Sequence, residues 1–313
     1  MPSRRTAFTA LALLAAAPAM ATQKPSQLIV FGDSLVDAGN LKALVGSDQF
    51  TPASKGYFQG RFTNGPDYTD LLNRRFYGSF QSPALAGSGT NYAIGGARAV
   101  DTGDFIPDLG AQLGIYLGSH AVDTKALYVI NMGGNDVFGL QSGNIGSYTA
   151  ATYSAAFVER MTSAVQTLSS LGATRILVTG VPNTTPVGFA LETQLQAGLD
   201  MLEPTLGGTQ LIRFSYQNFL GQLAADPVAF GVAPFTEAGA CFDHRTPVNG
   251  RINCDGFTTV DNTHPIASIQ AALYRSVYDA AGFVPEPGTW ALMIAGFGLV
   301  GTAMRRRARL QAA

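Results

Sequence analysis

The sequence predicts an α/β protein, a three-layer α/β/α sandwich around a mainly parallel sheet of about five strands. Two observations carry this. Short β-rich runs that end in Gly-rich punctuation alternate with stretches whose apolar residues recur every three or four positions, the pattern of strands joined by covering helices. The first of these runs, Gln27-Leu28-Ile29-Val30-Phe31, is apolar without alternation, as a strand covered on both faces must be. It stops abruptly in Gly32-Asp33-Ser34, and parallel sheets bind ligands beyond the carboxyl ends of their strands.

The elements follow in order. After the first run, Asn91-Tyr92-Ala93-Ile94 leads into Gly95-Gly96, Ala126 to Asn131 into Gly133-Gly134-Asn135-Asp136, and Arg175 to Thr179 into Gly180-Val181-Pro182-Asn183. Thr209 to Phe214 makes a fifth strand. Between them, Ala151 to Leu171 sets Phe157, Met161, Val165 and Leu168 on one helical face. Pro66 to Phe76 enters a helix at a proline, the position where a missing N–H costs nothing. Leu109 to Leu117, Phe189 to Leu202, Tyr216 to Ala224 and Pro265 to Ala281 are further helices. Stretches 35–60, 77–90 and 226–260 read as long loops, which in such folds shape the site.

With 313 residues, 46% hydrophobic and 13% charged, the chain can build one large domain, and no second one is required. A net charge of −1 and a pI near 6.3 give no basic field for nucleic acid. Residues 1–21 have a basic start at Arg4-Arg5, an apolar stretch and the small-x-small end Ala19-Met20-Ala21, the mark of a secretory signal peptide. A retained anchor is the competing reading, and Ser3-Arg4-Arg5 leaves twin-arginine export beside the Sec route. At the other end, Pro285-Glu286-Pro287 precedes an uncharged, largely apolar stretch from Gly288 to Met304, followed by Arg305-Arg306-Arg307. A helix of that length can just span a membrane with the arginines held on the cytoplasmic side. The region between the ends, 22–283, is large enough for one α/β domain.

Cys241 and Cys254 are the only cysteines. Outside the cytoplasm such a pair usually forms a disulfide, and closing so short a loop is worth about 3 kcal/mol in the chain-entropy model. Free buried thiols are the weaker alternative. Three dispersed histidines and no clustered carboxylates speak against a catalytic metal, and no cofactor is expected.

A serine hydroxyl is a poor nucleophile and needs a neighbouring base and N–H donors for the oxyanion. A bare Gly-Asp turn with a solvent-facing serine competes for Ser34 when the tripeptide is taken alone. The partners come later in the chain. Phe31-Gly32-Asp33-Ser34-Leu35-Val36-Asp37-Ala38-Gly39-Asn40, Asn91 to Ala97, Gly133-Gly134-Asn135-Asp136 and Asp261-Asn262-Thr263-His264-Pro265, with Gly60 to Pro66 between the first two, together resemble the ordered blocks of the GDSL-type SGNH hydrolases over residues 27–283. The resemblance implies the flavodoxin-like SGNH sandwich, Ser34 as nucleophile, His264 as general base and Asp261 as its orienting carboxylate. It also implies an oxyanion hole from the N–H groups of Ser34 and Gly96 and the amide of Asn135. Gly96 lets backbone approach the reacting carbonyl without a Cβ, and Asn135 is an uncharged donor. His244, beside Asp243, is the rival base, and His120 reads as a surface residue. The block departs from longer lipase-like members at Thr258-Thr259-Val260 and Ile266, which bears on the wall of the acyl pocket.

The C-terminal arrangement resembles the PEP-CTERM sorting tail of Gram-negative bacteria. That implies recognition by an exosortase at the inner membrane, passage through the periplasm and delivery to the cell surface or extracellular matrix. The expected activity is hydrolysis of carboxylic esters through an acyl-enzyme. Loop aromatics such as Phe50, Tyr57, Phe58, Phe62, Phe230 and Phe235 favour a lipid or other acyl-ester substrate. Deacetylation of an extracellular polysaccharide is the enzymatic alternative, and a non-enzymatic surface or matrix protein is the alternative of another class.

Overall fold

The computed structural model describes residues 23–283 and 294–302. Residues 24–281 form one compact unit. Its elements are β1 (Leu28–Gly32), α1 (Asn40–Val45), α2 (Tyr68–Tyr77), α3 (Leu109–Ser119), β2 (Leu127–Asn131), α4 (Gly134–Ser142), α5 (Ala150–Ser170), β3 (Arg175–Thr179), α6 (Pro186–Leu202), β4 (Gln210–Phe214), α7 (Tyr216–Ala225), α8 (Cys241–His244) and α9 (Ala267–Ala280). Residues 294–302, in a separate unit, are helical and exposed.

The sheet is parallel throughout, in the order β1-β2-β3-β4, with Phe31 opposite Ile130 and Gly32 opposite Asn131. Successive side chains alternate between its faces. Ile29, Phe31, Tyr128, Ile130, Ile176 and Val178 share one core cluster with residues of α3, α5 and α6. Asn131 marks the other face, where its Oδ1 accepts from Tyr68 of α2 and Tyr216 of α7, 3.0 Å each. Helices start where the sequence supplies caps: Asp67 and Asp70 close a capping box on α2, Thr149 and Thr152 one on α5, and Thr185 caps α6 just before Pro186.

The sheet has four strands, one fewer than expected, because the 91–94 run does not form one. It still runs parallel to β1, bonded through Tyr92 N to Val30 O (2.7 Å) and Ile94 N to Gly32 O (3.0 Å). Its outer side meets only an isolated bridge at Pro83, which has no N–H to extend a ladder. The chain therefore passes from β1 to one side at 91–94 and then to the other side at β2. The carboxyl end of β1 is a topological switch point, where α/β sheets open a crevice. Three helices were not anticipated: α1 and the short α8 inside stretches read as loops, and α4 directly after Gly133.

The expected signal segment 1–21 and residues 288–293 and 303–304 of the expected span lie outside the described residues. Among the described residues no helix is long and apolar enough to cross a membrane, so the expected span has no support in the structure.

Candidate active site

Ser34 follows β1 at the switch point, on a turn held by its own neighbour: Asp33 Oδ1 accepts the N–H of Leu35 at 3.0 Å. Asp33 is buried, and that burial pushes its pKa up to about 7. Gln112 of α3 grips the end of the strand, its amide bonding both the N–H and the C=O of Gly32 at 2.9 Å. A Cβ on Gly32 would lie 2.5 Å from Val36 Cγ2 and 2.8 Å from Asn131 O, so only glycine lets the turn fold this tightly.

The structure brings Ser34, His264 and Asp261 into one line. Ser34 Oγ lies 2.7 Å from His264 Nε2, and His264 Nδ1 lies 2.7 Å from Asp261 Oδ2. Asp261 and His264 sit on a tight turn that leads into α9, with Asn262 in the left-handed region at φ 69°, a conformation asparagine tolerates better than most residues. Asp261 Oδ1 accepts the backbone N–H groups of Thr263 (3.2 Å) and His264 (2.8 Å), and Oδ2 also accepts the hydroxyl of Tyr57 at 2.7 Å. Burial pulls the Asp261 pKa up, but the hydrogen bond and charge of His264 and the Tyr57 hydroxyl outweigh it and hold it lowered to about 2. Phe62 backs the imidazole at 4.8 Å between ring centroids.

The second block is held to the first by Asp37, whose Oδ2 accepts the N–H of Gly95 at 2.8 Å. Gly96 then turns with φ 89° and stands exposed. Among the described residues, neither the Ser34 nor the Gly96 N–H donates to a protein acceptor. Asn135 spends one amide hydrogen on Ala97 O (3.0 Å), which orients the group and leaves the second hydrogen free. Asp136 beside it ties the 97–100 loop down through Ala99 N and accepts from Tyr153.

An apolar cavity of about 220 Å³ is lined by Leu35 and Pro265, the chain neighbours of Ser34 and His264, with Pro182, Leu220, Phe235 and Thr259 among others. The departing threonines 258 and 259 are thus part of its wall. Of the loop aromatics singled out in the sequence, Phe235 reaches this cavity, whereas Tyr57 and Phe62 pack on Asp261 and His264, and Phe50 is exposed. His244 stacks on Phe257 and His120 on Tyr116, both exposed, and neither contacts Ser34. Cys241 and Cys254 are bridged, with Cα atoms 5.5 Å apart. No group of metal-ligating side chains occurs among the described residues.

Sequence reading missed Tyr57, Gln112 and Arg61 as parts of this machinery. Arg61, buried, bonds Asp70 through both Nε and Nη2 at 2.9 Å and thereby fixes the loop that presents Phe62.

The family model described as GDSL-like Lipase/Acylhydrolase matches residues 28–277. The chain is similar to the secreted effector protein SseJ of Salmonella typhimurium, 28% identical over 172 residues, covering 52% of this chain and 37% of the effector. It is 24% identical over 268 residues to a GDSL esterase/lipase of Arabidopsis thaliana, covering 69% of this chain and 78% of that protein. Among solved structures, the acetylxylan esterase Axe2 of Geobacillus stearothermophilus superposes with a TM-score of 0.47 at 15% identity, over 85% of this chain and 98% of its own. A second family model, the PEP-CTERM protein-sorting motif, matches residues 283–307, a mark of export and sorting in Gram-negative bacteria.

Proposed function

Because the chain belongs to the GDSL-like lipase/acylhydrolase family and hydrolyses ester bonds, we propose that it is an exported serine hydrolase that cleaves carboxylic esters of aliphatic acyl chains through an acyl-enzyme. Membership leaves the non-enzymatic surface protein without support. The observation that carries the mechanism is the unbroken line from Ser34 Oγ through His264 to Asp261.

In this mechanism Ser34 Oγ attacks the ester carbonyl as His264 Nε2 takes its proton. Asp261 fixes the imidazole with Nδ1 protonated and stabilises the imidazolium. The tetrahedral oxyanion takes the free N–H groups of Ser34 and Gly96 and the spare amide hydrogen of Asn135; losing one such donor typically costs about 3 kcal/mol of transition-state stabilisation. His264 returns its proton to the departing alcohol, which leaves the acyl group on Ser34. Water, deprotonated by the same imidazole, then releases the acid and regenerates the serine. Neither metal nor nucleotide enters the cycle.

The apolar cavity lined by Leu35 and Pro265, next in the chain to Ser34 and His264, supports an aliphatic acyl partner. Deacetylation of an extracellular polysaccharide is the second reading, favoured by the sorting motif. In the proposed life of the protein, residues 1–21 direct export, and an exosortase recognises the segment 284–307.

Fluorophosphonate labelling of the purified protein tests the mechanism. Labelling that vanishes in Ser34→Ala and falls sharply in His264→Ala is expected. A folded protein that does not label would overturn it.

A further inference from the structure

We infer that Tyr57 is a positioning residue for the hydrolytic reaction: its hydroxyl clamps the Asp261 oxygen that orients His264, and an aromatic stack anchored at the Cys241–Cys254 bridge holds it there. The inference rests on the proposed roles of Ser34, His264 and Asp261.

Asp261 Oδ2 receives two donors at once, the imidazole Nδ1–H and the Tyr57 hydroxyl, each at 2.7 Å. With Oδ1 taken by two backbone N–H groups, the carboxylate is held at both oxygens and cannot rotate away from the ring. A carboxylate with a single side-chain donor would be free to swing toward solvent, since Asp261 keeps 22% of its side chain exposed. Tyr57 donates at every pH the protein meets, because burial first and the adjoining Asp261 second push its pKa far up. The other charge that bears on it is Asp243 of α8, which acts in the same direction.

The ring of Tyr57 is itself positioned. Phe242 meets it edge-on at 4.7 Å and Phe62 at 6.4 Å, and Phe62 in turn packs on the imidazole. Phe242 adjoins Cys241, and the N–H groups of Cys241 and Phe242 bond the carbonyls of Thr259 and Val260, immediately before Asp261. The disulfide therefore braces the backbone of the catalytic turn and the ring that supports Tyr57 together. At Gly56 an added Cβ would come within 2.7 Å of Ile252 and 3.1 Å of Phe242, and φ is 110°, so only glycine brings Tyr57 this close to the braced loop.

The test is Tyr57→Phe, which keeps the ring and removes the hydroxyl, compared with Asp261→Asn and the double variant. On a short-chain ester, Tyr57→Phe is expected to lower kcat by ~10-fold, the scale of one charge-assisted hydrogen bond, with KM unchanged. With one donor gone, Oδ2 holds the imidazolium proton more tightly, so the acid limb of the kcat/KM profile moves to higher pH. The downfield proton resonance of the His264 Nδ1–H moves as well. Because Tyr57 acts through Asp261, the double variant loses no more than Asp261→Asn alone. Wild-type kcat, an unmoved acid limb and an unchanged resonance in Tyr57→Phe would overturn the inference, as would fully additive losses in the double variant. If the wild-type protein turned over no ester, the proposed function would fail, while the resonance would still decide whether Tyr57 holds the Asp261–His264 pair.

Discussion

The apolar cavity lined by Leu35 and Pro265 makes a quantitative prediction about acyl-chain length. Its volume of about 220 Å³ holds about seven methylene-sized groups, at the ~30 Å³ that a water occupies in the liquid. Burying one methylene is worth ~0.8 kcal/mol, about fourfold in kcat/KM when the gain is realised in the transition state. For p-nitrophenyl esters, kcat/KM is therefore expected to climb about fourfold per carbon from acetate and to level off near octanoate. Leu220→Trp, which fills the cavity from α7 without touching Ser34, should leave acetate hydrolysis within about twofold and lower octanoate hydrolysis by roughly tenfold or more. A purified enzyme assayed across the series decides it. A wild-type profile that falls steeply beyond acetate would refute the cavity as an acyl site and move the function to deacetylation. An unchanged profile in Leu220→Trp would show that the chain binds elsewhere.

Three further outcomes follow from the geometry. Asp261→Asn should retain the fold and lose roughly 10³–10⁴-fold in kcat, because the amide presents the wrong partner to Nδ1; near-normal turnover would remove Asp261 from the mechanism. Arg61→Met leaves Asp70 buried and unpaired, so unfolding in urea should show a loss of about 3–5 kcal/mol, and a change below 1 kcal/mol would mean that the pair does not brace the 59–62 loop. Stability should peak near pH 4. Burial raises Asp33 and Asp37 to about 7 and about 6 from an unfolded value of 3.8, so the folded chain binds those protons more tightly and its stability declines as pH rises from about 4 through 7. Asp261, lowered to about 2, contributes stability above about pH 4 that is lost as pH falls through 2. Urea midpoints from pH 2 to 8 read both limbs, and a midpoint that does not fall between pH 4 and 7 contradicts the assignment for Asp33 and Asp37.

Much of this was legible in the chain. The first three strands of the sheet were written as apolar runs because a strand covered on both faces leaves no room for alternation, whereas β4 carries Gln210 and Arg213 at the sheet edge. Ser34 and Asn135 stood in the punctuation after β1 and β2, where a parallel sheet gathers its loops, whereas Asp261 and His264 stood on the turn before α9. The 91–94 segment misled because its composition is that of a strand, while its outer neighbour, Pro83, cannot complete a ladder. Tyr57 was visible only as one aromatic among several in a loop, since nothing local signals that a hydroxyl will meet a carboxylate 204 residues away. Gln112 was equally silent: helical periodicity marks a buried face, not the strand end that one amide on that face will grip. Arg61 stood inside a recognised block, yet its pairing with Asp70 depends on how the loop folds back onto α2.

The hydroxyl of Ser34 and the imidazole of His264 that meets it are separated by 230 residues. A chain that emerges amino-terminus first exposes the serine early and the turn at 261–264 only near the end of synthesis or translocation, so their meeting is among the last long-range closures to form. Until α9 docks, Ser34 lacks the imidazole that meets its hydroxyl at 2.7 Å.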